Sequence, residues 1–186
     1  MRKAIVKFPS DYSYTSIKEL KGYILFTQNN KECNVVVEVY LEGLPNGKHG
    51  FHIHENSISH ENLILLKKGQ TIKNLCDKLG GHFNPFNTVH GSYKYNTIRH
   101  AGDLINNLEV INNELIHLYF IDPLISLYDS DNSIINRSIV IHENEDDEGL
   151  PGLYAINKKK LSKREIESLK TGNAGKRIAC GNIFII

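Results

Sequence analysis

Eight short runs rich in β-branched and aromatic residues, separated by Asn, Gly and Asp turns, limit what this chain can fold into. They cover residues 2–8, 20–28, 34–44, 49–55, 104–111, 114–120, 133–141 and 177–186. Long helical periodicity is nearly absent, so the pattern points to an all-β, antiparallel sandwich or barrel. Two connections, about 56–103 and 143–176, are too long to be turns, and such loops in compact domains usually carry function. One helix is expected inside the second. Ser162, Lys163, Arg164 and Glu165 form a capping box, Leu161 and Ile166 occupy staple positions, and Gly172 is placed to end the helix.

At 186 residues the chain is long enough to bury a substantial core and is read as one domain, 1–186. The formal net charge of +1 gives no bulk basic field for nucleic acid, and no nucleic-acid partner is expected. No apolar run approaches the roughly 18 residues of a bilayer span, so no membrane partner is expected either. The opening MRKAIVKFPSDYSY turns polar before an apolar signal core develops, which sets the expectation of a cytoplasmic protein. Cys33, Cys76 and Cys180 are too few and too widely spaced for a disulfide scaffold or a zinc ribbon.

The chemistry is concentrated in histidines. Residues 80–103, GGHFNPFNTVHGSYKYNTIRHAGD, place His82, His90, His100 and Asp103 in one polar loop. Three imidazoles and a carboxylate suit a tetrahedral zinc ion, the alternative being a solvated histidine-rich loop. His52 and His54 stand at i and i+2 of a strand, so both face one way while Phe51 and Ile53 face the core. That pair alone is equally consistent with two surface histidines. His142 ends another apolar run, and with His82 it completes a set that could meet at one end of a sandwich. An all-nitrogen set of this kind suits copper. The other histidines are read as structural: His49 in hydrogen bonds beside its turn, His60 on a loop surface and His117 on a strand. Lys158, Lys159 and Lys160 are read as solvated surface.

Five stretches occur in order between residues 47 and 181: GKHGFHIHE, GGHFNP, RHAGD, SIVIHENEDDEG and TGNAGKRIACG. On these, and on the order of the strands between them, essentially the whole chain resembles the Cu,Zn superoxide dismutase family. The resemblance implies an eight-stranded antiparallel Greek-key sandwich or barrel with two long functional loops. It implies dismutation of superoxide to oxygen and hydrogen peroxide, by alternate reduction and reoxidation of a histidine-bound copper ion beside a structural zinc ion. Copper would be held by His52, His54, His82 and His142. Zinc would be held by His82, His90, His100 and Asp103, with His82 shared as a bridging imidazolate. Arg177 is implied as the channel arginine that holds the anion, and Thr171 as the residue that narrows the channel. Asp146 is implied as the carboxylate linking one copper and one zinc histidine. Cys76 and Cys180 would form a disulfide, leaving Cys33 a free thiol. Beyond superoxide as substrate, the implied partners are a second copy of the chain, met through Ile134, Ile135 and residues 182–186, and a copper chaperone.

The chain departs from the family in three places. The spacing from His90 to His100 is one residue longer than usual, the family's glycine after the second histidine is replaced by Glu55 and Asn56, and both long connections are extended. Retention of every implied copper ligand and of Arg177 favours an enzyme over a copper-handling or purely zinc-binding protein of the same fold.

Overall fold

The computed structural model describes residues 1–94 and 98–186, so residues 95–97 of the histidine loop lie outside the described residues. Its strands, in chain order, are β1 (Arg2–Phe8), β2 (Ser13–Thr15), β3 (Lys21–Gln28), β4 (Val35–Glu42), β5 (Gly47–His54), β6 (Asn106–Val110), β7 (Ile116–Asp122), β8 (Ser138–His142), β9 (Arg177–Asn182) and β10 (Phe184–Ile185). They form two antiparallel five-stranded sheets, in the orders β10-β1-β3-β4-β7 and β2-β9-β8-β5-β6. The chain crosses between sheets from β4 to β5, β6 to β7 and β7 to β8, as a Greek-key sandwich requires, and among the described residues no closed barrel forms. Eight strands correspond to the expected runs. The addition, β2, is three residues long, too short to show an alternation in sequence, and the expected run 177–186 is divided into β9 and the two-residue β10.

The core lies between the sheets. In β4 the alternation is direct: Val35, Val37, Val39 and Leu41 are buried, while Val36, Glu38, Tyr40 and Glu42 face outward. These side chains meet Phe51 and Ile53 of β5 and Ile139 and Ile141 of β8 in one continuous cluster. The outer faces of β5 and β8 do not reach solvent. His52 and His54 are fully buried, as is Val140, because the long connections fold back over this sheet.

Under the first connection lies a smaller apolar cluster of Ile58, Leu63, Leu75, Cys76, Leu79, Val140 and Cys180. It is tied to the sheet by the Cys76–Cys180 disulfide, whose Cα atoms are 5.8 Å apart. This connection also holds α1 (His60–Lys67), capped by the Ser59 hydroxyl, which accepts from Asn62 N. His60 is therefore the first residue of a helix rather than loop surface, although it is exposed.

The second connection contains α2 (Leu150–Tyr154) and α3 (Lys163–Thr171). The capping box at Ser162 is present and Gly172 closes α3 in the left-handed region, as expected. The unanticipated α2 crosses α3 closely: a Cβ on Gly152 would lie 2.3 Å from Leu169 Cγ. Ile134 and Ile183, which the resemblance puts in segments that meet a second copy, are fully buried, whereas Ile185 and Ile186 are exposed.

Candidate metal centre

Backbone pairing brings the histidine loop onto β5. Phe83 N donates to Ile53 O at 2.8 Å, Ile53 N to Gly102 O at 2.9 Å, and Gly102 N to Phe83 O at 2.8 Å. Both ends of the loop are thereby fixed against the strand that carries His52 and His54. On the other side, β8 pairs with β5 in a register that sets His52 opposite Val140, and His142 follows two residues later on the same face.

Two groups of candidate ligands result, both buried. His52, His54, His82 and His142 each offer a ligand atom within 4.8 Å of the others, as do His82, His90, His100 and Asp103. His82 belongs to both. Every residue that the sequence singled out as a ligand is thus in one or the other.

Hydrogen bonds fix which nitrogen each imidazole leaves free. His52 Nε2 donates to Asp146 Oδ2 at 2.5 Å, leaving Nδ1. His54 Nδ1 donates to Gly80 O at 3.1 Å, and His142 Nδ1 to Gly175 O at 3.2 Å; each leaves Nε2. His90 Nε2 donates to Asp146 Oδ1 at 2.9 Å, leaving Nδ1. The buried side-chain atoms without a partner among the described residues are His52 Nδ1, His54 Nε2, His82 Nε2, His142 Nε2, His90 Nδ1 and His100 Nδ1. The last two lie 3.0 and 3.2 Å from Asp103 Oδ1, close but not aligned as hydrogen bonds, while His82 Nδ1 is bonded to that oxygen at 2.8 Å. The first four orphans belong to the all-histidine group, and the last two surround a carboxylate. A buried polar atom left unpaired costs about 1–3 kcal/mol, so six of them converging is a cost that bound cations would relieve.

The electrostatics divide the groups. Burial, reinforced by neighbouring imidazoles and by Arg177, holds His54 and His142 well below the usual histidine range. Burial and then His52 lower His82 to about 3. These imidazoles stay neutral, the state in which a ring nitrogen can ligate. Burial also disfavours the His90 imidazolium, but Asp103 and Asp146 on its two sides outweigh it and raise its pKa to about 10. Burial alone would raise the two aspartates. His90 overrides this at Asp103, and the hydrogen bonds from His52 and His90 override it at Asp146, so both carboxylates are ionised.

Asp146 thus joins His52 of one group to His90 of the other. It sits against Gly172, where a Cβ would fall 2.3 Å from Asp146 Oδ1; at φ +69° this position suits glycine on both counts. Asn107, which the sequence reading passed over, brackets the Asp146 backbone: Nδ2 donates to Asp146 O at 2.9 Å and Oδ1 accepts from Asp146 N at 2.8 Å. Backbone carbonyls such as Gly80 O and Gly175 O carry no side-chain signal, and Asn107 looked like any strand asparagine.

Arg177 is half-buried at the start of β9, with Nη1 donating to Cys76 O at 2.9 Å and Nη2 to Gly80 O at 2.7 Å. Thr171 ends α3, its hydroxyl donating to Glu167 Oε1 at 2.6 Å. His49 bridges turn and strand, its ring nitrogens 3.0 Å from His142 O and 3.0 Å from Pro45 O, the structural part expected of it. His117 lies exposed on β7 beside Glu38, and Cys33 is a free thiol.

Residues 20–183 match the family model described as copper/zinc superoxide dismutase. The chain is 42% identical over 167 residues to an extracellular copper/zinc superoxide dismutase of Drosophila melanogaster, covering 90% of this chain and 77% of that protein. It is 41% identical over 162 residues to superoxide dismutase [Cu-Zn] 4 of Dictyostelium discoideum, covering 87% and 89%. A solved structure, the clock protein EA4, superposes with a TM-score of 0.72 at 33% identity, over 99% of this chain and 94% of that one. The cytoplasmic expectation is corrected by these findings. A relative at 42% identity is extracellular by name, and the buried disulfide is of the kind that persists in oxidising compartments.

Proposed function

The chain belongs to the copper/zinc superoxide dismutase family and catalyses the dismutation of superoxide with copper and zinc as cofactors, and on that premise we propose which residues do the work. His52, His54, His82 and His142 hold copper through His52 Nδ1 and the Nε2 atoms of the other three. His82, His90 and His100 hold zinc through Nδ1, together with Asp103. The observation that carries this assignment is the set of orphaned ring nitrogens, each of His52, His54, His90 and His142 donating with one nitrogen and turning the other inward.

Copper supplies the alternating one-electron reduction and reoxidation, and zinc supplies fixed charge and geometry. The protein's own contributions follow from its hydrogen bonds. Asp146 orients one ring of each group and sets both tautomers. His82 faces both groups with its two nitrogens and couples their positions. Arg177, permanently charged and fixed by two carbonyls, holds a small anion beside the all-histidine group. Thr171 narrows the approach.

We further read residues 1–186 as one domain that pairs with a second copy through the exposed end of the chain. Ile185 and Ile186 are 51% and 68% exposed, and a cleft of about 370 Å³ lined by Ile5, Tyr12, Phe184 and Ile186 adjoins them. A copper chaperone docking at the extended first connection completes the reading. The extracellular name of the Drosophila relative and the disulfide support a location in an oxidising compartment.

Elemental analysis after metal loading tests the assignment. One copper and one zinc per chain are expected, with His142→Ala losing copper and retaining zinc, and His100→Ala losing zinc first. Zinc alone in the fully loaded protein would overturn the copper assignment.

A further inference from the structure

The α2–α3 hairpin carries features that the metal centre does not use. Residues 150–171 contain Lys158, Lys159, Lys160, Lys163, Arg164 and Lys170 against Glu165 and Glu167, six cations to two carboxylates, or +4. With a total of +1, the remainder of the chain is −3, so the positive charge is concentrated here. Both carboxylates are engaged locally. Glu165 takes Lys158 Nζ at 2.6 Å and Ser162 N at 2.7 Å, and Glu167 takes the Thr171 hydroxyl. Among the described residues, Lys158 is the one cation of the six in an ion pair.

Charge runs of this kind are ordinarily solvated surface, and the sequence alone supported that reading. The structure adds three large side chains lying bare among them: Tyr154 at 84% exposure, Ile156 at 62% and Ile166 at 53%. The Lys158–Glu165 contact brings the connection after Ile156 against the helix turn holding Ile166, so the apolar residues share one end of the hairpin. On α3, Lys163 and Lys170 stand three before and four after Ile166 and flank it on the same face.

We propose that this hairpin docks on an anionic lipid surface, with Tyr154, Ile156 and Ile166 entering the headgroup boundary and the flanking cations meeting phosphate and carboxylate headgroups. Charge complementarity selects an anionic partner, and the exposed apolar side chains select a bilayer over a polysaccharide or nucleic acid, which offers them no apolar phase. Such contact is peripheral and needs no spanning segment; no helix among the described residues is long and apolar enough to cross a membrane.

The test is co-sedimentation of the metal-loaded full chain with vesicles of phosphatidylcholine alone and of equimolar phosphatidylcholine and phosphatidylserine. Binding to the anionic vesicles only is expected. Each of Lys159→Gln and Lys160→Gln should weaken it about fivefold, and the double variant Ile156→Ser with Ile166→Ser about tenfold. All these side chains are exposed, and unchanged circular dichroism and metal content will confirm that the variants fold. Absence of binding to anionic vesicles overturns the proposal, as does binding that none of the variants weakens. Loss on lysine substitution but not on isoleucine substitution, with equal retention on dextran sulfate, also overturns it in favour of a polyanion site.

Discussion

Asn107 grips the peptide of Asp146 from both sides, donating to its carbonyl at 2.9 Å and accepting from its amide at 2.8 Å. The side chain of Asp146 then bonds His52 and His90, one imidazole from each candidate ligand group. Asn107 therefore positions both groups without touching either. Removing the partner of a ligating histidine typically costs ten- to a hundredfold in metal affinity, and Asn107 stands one step further out. Asn107→Ala is expected to weaken zinc retention by about tenfold in chelator competition. It should also alter the copper electron-paramagnetic-resonance spectrum, a readout that a general loss of stability would leave unmoved.

Arg177 is fixed by two carbonyls and stands close enough to depress the basicity of His54 and His142. Arg177→Leu keeps every candidate ligand and removes the charge. Superoxide decay should slow by at least about tenfold with copper content unchanged, while Arg177→Lys recovers only part of the rate because a point charge lacks the planar fork. Equal rates in the two variants and the parent would remove Arg177 from the channel.

The disulfide joins cysteines at a sequence separation of 104 and holds the peptide whose carbonyl receives Arg177. The chain-entropy account gives about 4–5 kcal/mol for a loop of this length. Cys180→Ser is therefore expected to lower the melting temperature by on the order of 10 °C. It should also lower activity more than metal content, because Arg177 loses a fixed anchor.

The pH dependence of the metal-free protein follows from the depressed histidines. His54, His82 and His142 have folded pKa values below the usual 6.5, so below that pH the unfolded chain binds more protons and stability falls. His82 contributes to this loss down to about pH 3. Each such group steepens the decline by up to about 1.4 kcal/mol per pH unit. His90 acts oppositely: its pKa of about 10 adds stability that is present below 6.5 and lost as pH rises toward 10. Thermal melts of chelator-treated protein should show an acid-side decline that is shallower in His142→Gln. Metal-loaded protein should hold its melting temperature to lower pH, since cations compete with protons for the same nitrogens.

Metal loading itself should raise stability strongly. Among the described residues six buried nitrogens lack partners, each worth about 1–3 kcal/mol, and ligation satisfies them. Zinc and copper together are expected to raise the melting temperature by well over about 10 °C. Zinc without copper should give a smaller rise, because four of the six orphans belong to the all-histidine group.

The sandwich was legible because two-residue alternation survives in strands with one face in the core, as in β4. It faded where both faces are covered. In β5 and β8 nearly every residue is buried, and the outward set is histidine and valine rather than charge. Helix α3 was legible through its cap. Helix α1 was not, because it buries only Leu63 and its apolar residues run consecutively instead of at helical spacing; Ser59 was the available signal. The candidate ligands announced themselves as residue types. Of what orients them, Asp146 was legible through the resemblance, whereas Gly80 O and Gly175 O belong to the backbone and the Asn107 side chain acts on the Asp146 backbone rather than on a histidine. Ile134 and Ile183 looked like interface residues because sequence cannot tell an apolar residue beneath a loop from one at an interface.

The carbonyl of Gly80 receives both His54 Nδ1 and Arg177 Nη2. One oxygen atom is thus a common origin from which a candidate ligand and the proposed anion-holding charge are both measured. While both bonds to this carbonyl are kept, the gap between the two side chains is held from a single point of the first connection. A change in the length of this loop that leaves Gly80 in place therefore leaves that spacing unchanged.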